Sequence, residues 1–289
     1  MIIAILTKGR TITVSSEERK VAWEHTEWSD VKVNFSKYTA LQIERDGPVL
    51  RVWFDRPDQL NAVSRDVHGE LETLFFDIDR DEATRVAVIS GRGRAFSAGG
   101  DLDWLVELNA DPEASARAIR ADRIIQTALL NMETPLVARV NGPAVGLGCS
   151  VALYCDIVVA HPRAVFADPH VSVGLVAGDG GALIWPQLIG YAQARRYLLT
   201  GDHITGEDAA RLGLITECAV EEELDSAVMH WVDKLLAQPD RALRWTKLSI
   251  NGGLRAIASS VLDAAAGFEN LTQILPEHRD ALQRMRDRR

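Results

Sequence analysis

Residues 136–161 read LVARVNGPAVGLGCSVALYCDIVVAH, and this stretch decides the fold. LVARV at 136–140 and DIVVAH at 156–161 are apolar runs of strand length bounded by turn-forming residues. Between them the turn NGPAVG gives way to a helix from about residue 146. Strands with so little alternation are buried on both faces, which predicts α/β layering.

The pattern repeats upstream. TALQIERDGPVLRVWF at 39–54 is a pair of alternating strands around an Asp-Gly-Pro turn, the mark of a hairpin. Val67, Leu71, Leu74, Phe75 and Ile78 recur at spacings of three and four, predicting a helix over 64–80 with Ser64 as N-cap. VAVISG at 86–91 reads as a strand, and a long helix is expected near 114–132. Beyond Gly201 the chain turns helical, with GEDAARLGL, a long helix from about 221, another around 241–250 and a tail ending QRMRDRR. The division is therefore residues 1–37 as an extension or a mis-called start of unknown role, 38–220 as the α/β core, and 221–289 as a helical region. Trp23 and Trp28 of the extension show no period.

Composition narrows the class. The chain has 289 residues, 47% hydrophobic and 25% charged, enough to bury a sizeable core. A net charge of −9 argues against nucleic acid as a partner, because backbone phosphates call for a basic surface. Cys149, Cys155 and Cys218 are too few and too poorly spaced for a disulfide framework or a thiolate metal site, which points to a reducing cytoplasm. MIIAIL at the start lacks the flanks of a signal peptide, and no run reaches the ~18 apolar residues of a membrane span.

Two glycine-rich stretches each lie between a strand and a helix: GRGRAFSAGGDL at 91–102 and NGPAVGLGCS at 141–150. Neither has the Gly-Lys-Ser/Thr of a phosphate loop nor the G-x-G-x-x-G of a dinucleotide site. Either could bring backbone against a ligand, or simply turn the chain.

RPDQLNAVS, GRGRAFSAGGDLDWL, NGPAVGLGCSVALYCDIVVA and LTGDHITGEDAARLGL resemble, in order and spacing, the serial signatures of the crotonase (enoyl-CoA hydratase/isomerase) superfamily. The resemblance spans roughly 38–260; the ending PEHRDALQRMRDRR departs from it. It implies an α/β spiral of repeated ββα units, a helical C-terminal region that trimerises, and a homotrimer or homohexamer. It also implies an acyl-CoA thioester as substrate, with coenzyme A entering only as part of it and no separate cofactor or metal. The implied oxyanion hole is the backbone N–H of Gly100 and of Leu147, the latter at a helix start where unpaired N–H groups and the dipole favour a forming enolate. The implied CoA contacts fall around Leu60, Ala62, Ala98, Asp101 and Leu102; Asp101 is equally an N-cap for DLDWLVEL.

The hydratase pair of glutamates is missing: Ser150 stands at the first position and His170 at the second. The acid–base candidates are His170, Asp179 in AGDGGALIWP, and His68 on the apolar face of the first helix, since an imidazole beside a carboxylate exchanges protons near neutral pH. Asp179 reads equally as a helix cap, and His68 as a core residue. Cys149 has no activating base and reads as packing. His25, His161, His203, His230 and His278 read as structural or solvated.

GLVAGDGGALIWP at 174–186, with the upstream His, is also similar to 6-oxocamphor hydrolase, which cleaves a carbon–carbon bond in a cyclic β-diketone without CoA. His68, His170 and Asp179 match its functional positions; where it has a His in the second glycine loop, this chain has Leu147. Three functions follow: an acyl-CoA enzyme using Gly100, Leu147, His170 and Asp179; a CoA-independent β-diketone hydrolase; and a non-catalytic acyl-CoA-binding member.

Overall fold

The computed structural model describes residues 33–287. Most of the extension assigned to 1–37, with Trp23 and Trp28, lies outside the described residues.

β1 (Leu41–Asp46) and β2 (Val49–Phe54) form the hairpin around Gly47. α1 (Arg65–Arg80) follows, its Ser64 hydroxyl accepting from the Val67 N–H. Then come β3 (Val86–Gly91), α2 (Leu102–Ala110), α3 (Pro112–Asn131), β4 (Leu136–Val140), β5 (Ala144–Val145), α4 (Leu147–Leu153), β6 (Ile157–Ala160) and β7 (Val165–Ala167). α5 (Gly181–Thr200), β8 (Ile204–Thr205), α6 (Gly206–Leu212), β9 (Glu217–Cys218), α7 (Glu221–Leu236), α8 (Asp240–Gln273) and α9 (Pro276–Arg286) complete the chain.

The main sheet runs β1-β2-β3-β4-β6-β9, antiparallel only at its first pair, and a small sheet runs β5-β7-β8. Both faces of the main sheet are covered, as its unalternated strands require. Ala87, Ile89, Leu136, Ala138, Val140, Val158 and Ala160 point into the larger core, whereas Val49, Val86, Val88, Val137 and Val159 meet Leu224, Val228 and Val232 of α7 on the opposite side. Successive residues thus serve opposite faces. Each Val, Leu or Ile among them contributes about 1.5–3 kcal/mol by leaving water. The result is a crotonase-type α/β fold.

The largest departure from the expected pattern is α8. A helix was expected near 241–250, but it runs unbroken to Gln273 through Asn251-Gly252-Gly253. Two glycines in a helix cost about 1 kcal/mol each. Ala258, Leu262, Ala265 and Glu269 are buried along the same helix, and α8 packs lengthwise on α3. Tertiary packing outweighs the local signal and carries Glu269 to the cavity described next.

Candidate active site

A cavity of roughly 180 Å³ opens where the two glycine loops, α2, α3 and the C-terminal helices meet. Its walls are mostly apolar, including Trp104, Leu105, Leu108, Ile119 and Leu175, but it also holds His68, Asp122, His170, Asp179 and Glu269.

The two glycine loops are pressed together by backbone. Gly99 has φ +83°, and a Cβ there would stand 2.9 Å from the Val145 carbonyl, so only glycine fits. Val63 donates to the Gly99 carbonyl and accepts from the Asp101 N–H. This register turns the N–H of Gly100, the residue between, to the other side, and Gly100 lines the cavity. Leu147 opens α4 after Gly146 (φ +52°), so its N–H is one of the donors a helix start leaves without a partner. Among the described residues neither N–H donates a backbone hydrogen bond.

Of the five positions expected to meet CoA, Ala98 lines the cavity. Its N–H is taken by the Leu60 carbonyl, and the Ala62 carbonyl by Arg56 at 2.6 Å. Leu60 itself is left-handed, φ 53°. Asp101 caps α2, of which Leu102 is the first residue, accepting from Asp103 and Trp104, and pairs with Arg56 at 3.1 Å; the capping role is the one on display.

His170 begins a short 3-10 turn, His170–Val173, directly after Pro169. Its Nδ1 is bound by the Asp168 carboxylate. Its Nε2 faces Asp179 Oδ2 at 3.4 Å and Glu269 Oε1 at 3.9 Å. Asp179 does not cap α5, whose N-cap is Gly180. Its carboxylate instead turns inward, where the Ser150 hydroxyl lies 3.1 Å from Oδ1, so the residue at the first glutamate position supports the carboxylate facing the imidazole.

Electrostatics follow from one imidazole among three buried carboxylates. Burial alone would lower the His170 pKa, but Asp179 and Asp168, with Glu269 behind them, outweigh it and hold it well above the ordinary histidine value. Burial pushes Asp179 up to about 7, with Asp168 adding to the rise and His170 opposing it. Burial also holds the Glu269 carboxyl well above the carboxylate range, against the pull of His170. The group therefore carries an exchangeable proton near neutrality. Asp168, His170 and Asp179 bring ligand-type atoms within 4.8 Å of one another, a spacing that could hold a metal ion.

His68 lines the cavity from α1. Its Nε2 lies 2.7 Å from Asp122 Oδ1 and its ring lies against Trp104, with centroids 4.9 Å apart. Burial works to lower its pKa, and Asp122 overcomes this to raise it. Cys149 is buried, and burial, then Asp168 and Asp179, push its thiol well up, as a packing residue requires. His278 is buried and hydrogen-bonded, and is not itself among the residues that line the cavity.

Three acidic residues escaped the sequence reading. Asp168 sits two residues before His170 in FADPH, and an Asp-Pro step that turns the chain back was the available signal. Asp122 stood among Ala118, Ile119 and Ile125 on the apolar face of α3, where an unpaired acid is costly. Glu269 had no local signal, because it lies beyond the expected end of its helix.

Fold and cavity together define an α/β enzyme of crotonase type. A model of the enoyl-CoA hydratase/isomerase family matches residues 44–284, and the chain belongs to that family. It is 30% identical to a short-chain-enoyl-CoA hydratase of Clostridium acetobutylicum over 79% of this chain and 85% of that protein. Among solved structures, an enoyl-CoA hydratase/isomerase from Mycobacterium paratuberculosis aligns with TM-score 0.82 and 39% identity over 85% of this chain and 98% of that one. A β-diketone hydrolase from the cyanobacterium Anabaena, bound to (S)-3-oxocyclohexyl acetic acid, aligns with TM-score 0.77 and 28% identity, covering 83% and 96%. No helix among the described residues is long and apolar enough to cross a membrane.

Proposed function

We propose that this chain moves a proton at the α-carbon of an acyl-CoA thioester, holding the enolate oxygen on the N–H groups of Gly100 and Leu147, with the His170–Asp179 pair as proton carrier. The observation that carries this is the placement of His170 Nε2 and Asp179 at 3.4 Å in the same cavity as Gly100 and Leu147. Asp179, titrating near 7, takes the α-proton; the carbon–hydrogen pair becomes the enolate; and the pair returns the proton to the same carbon or to a conjugated one. A group matched to the working pH does this best. With Ser150 and His170 replacing the glutamate pair, isomerisation is favoured over hydration. His68 with Asp122 orients the acyl end. CoA lies along the backbone of Leu60, Ala62, Ala98, Asp101 and Leu102.

A second reading is favoured by the likeness to the Anabaena β-diketone hydrolase. There the same pair would deprotonate a water, hydroxide would add to one ketone, and the breaking carbon–carbon bond would leave its electron pair as an enolate on the N–H pair, to be protonated by His170. A trimer or hexamer belongs to either reading and is supported by the large apolar side chains exposed on α5 and α8, Tyr191, Leu199, Trp245, Ile250 and Phe268 among them.

The full-length chain is to be incubated separately with crotonyl-CoA, a 3-enoyl-CoA and cyclohexane-1,3-dione, with turnover followed by absorbance. Conversion of the 3-enoyl-CoA alone is the expected result; cleavage of the dione with inert thioesters moves the assignment to the second reading. Absence of turnover, together with a melting point raised by acyl-CoA, would leave a binding protein.

A further inference from the structure

We infer that His278, on the C-terminal helix, is a positioning residue for His170. This rests on the reading of His170 as proton carrier.

His278 is fully buried and does not itself line the cavity, yet its Nδ1 lies 2.6 Å from the carbonyl of Val173, a lining residue and the last of the turn that begins at His170. A carbonyl only accepts, so Nδ1 carries the proton. Nε2 is then an acceptor, and it meets the side-chain amide nitrogen of Gln273 at 3.4 Å. Both ring nitrogens are thereby used in one neutral tautomer, and the ring cannot rotate or charge without losing a partner. Burial lowers its pKa, the Val173 carbonyl opposing and His170 adding to the fall.

The contact is part of a wider grip. The turn closes on itself through Leu175 N–H to His170 carbonyl, 2.8 Å. Immediately after it, Gly174 has φ +74°, and a Cβ there would lie 3.0 Å from the His278 nitrogen and 3.1 Å from the Glu277 carbonyl carbon, so backbone packs on backbone. Val176 N–H donates to the Thr272 hydroxyl at 3.2 Å. Gln273 lines the cavity, and its main-chain carbonyl accepts from Asn109 of α2 at 2.7 Å. Residues 170–176 are thus held by 272–278 at three points. Of these only His278 makes a side-chain hydrogen bond to the turn that carries the imidazole. A His170 held on one side by Asp168 needs this turn fixed for Nε2 to stay on Asp179, and displacements near 1 Å in such a group cost on the order of 10²-fold in rate.

The test uses the full chain labelled with ¹⁵N-histidine. His278→Asn keeps a donor at the Nδ1 position; His278→Leu removes both ring nitrogens at similar volume; His278→Gln offers its amide at the Nε2 position instead. Imidazole titrations are read by NMR, with His170→Ala assigning the His170 signal, and kcat and KM are measured on whichever of crotonyl-CoA, a 3-enoyl-CoA or cyclohexane-1,3-dione is turned over. The expected result is a displaced His170 titration and kcat lowered about 10-fold or more in the Leu and Gln variants, with KM nearly unchanged and Asn restoring both. Should the Leu variant not fold, the contrast between Asn and Gln decides. A folded Leu or Gln variant with the wild-type His170 titration and kcat overturns the inference. If His170→Ala leaves turnover intact, it is the role of His170 that fails, and the titration still answers for His278.

Discussion

The cavity sets two buried histidines against each other. His68 has one carboxylate, Asp122 at 2.7 Å, and a Trp104 ring at its side. His170 has Asp168 on one nitrogen and Asp179 and Glu269 near the other. One carboxylate per imidazole makes a closed ion pair that fixes a ring in place. Three carboxylates per imidazole leave more negative charge than the site can neutralise, so a proton must be shared, and Asp179 is driven to about 7. On the proposed reading, the count of buried acids, more than the presence of a histidine, distinguishes the proton carrier from the pair that orients the acyl end.

The sharpest way to break this contrast is to truncate each histidine. His170→Ala should lower turnover by on the order of 10²–10⁴, the usual worth of general acid–base catalysis, with little change in ligand affinity. His68→Ala should cost about 10-fold or less in turnover and show chiefly as a lowered melting temperature, because it leaves Asp122 buried without its partner. Equal losses in the two variants would erase the distinction.

Gly100→Pro, which deletes the N–H, should cost about 10²–10³ in rate. Gly100→Ala keeps the N–H; its Cβ would stand 3.1 Å from the Leu105 side chain, a flexible neighbour that has to yield slightly. Turnover of the two folded variants checks the donor: an Ala variant as slow as the Pro variant would place the fault in packing.

The smallest effect lies in pH. If Asp179 must be ionised, turnover rises with pH through about 7; below that the carboxyl holds its proton and the pair cannot accept another. Asp179→Asn should abolish this limb. Ser150→Ala removes a hydroxyl that favours the ionised form, so the limb should move to higher pH by a fraction of a unit to about one unit. A pH–rate profile of each variant checks the sign, and a downward move in Ser150→Ala contradicts the assignment.

Much of the fold was legible because its signals are local. The hairpin at 41–54, α1 with its Ser64 cap, and β3, β4 and β6 fall where alternation, helical spacing and apolar runs put them. The two short sheet partners β5 and β8, two residues each, carry too little pattern to read. Asn251-Gly252-Gly253 inside α8 is a stop signal to local propensity, whereas burial against α3 is a long-range gain that local sequence does not contain.

By itself the sequence determined the family, the two glycine loops and three cavity residues, His68, His170 and Asp179. Each is marked by a residue type in a fixed local setting, which is what a one-dimensional pattern records. Only the tertiary structure decided that Asp179 faces His170 instead of capping α5, that Asp168 and Asp122 each bind a histidine, and that Glu269, 99 residues beyond His170 in the numbering, completes the cluster. The charge state of a buried group depends on every carboxylate within a few ångströms and on exclusion from water, and both are properties of packing that chain order does not carry.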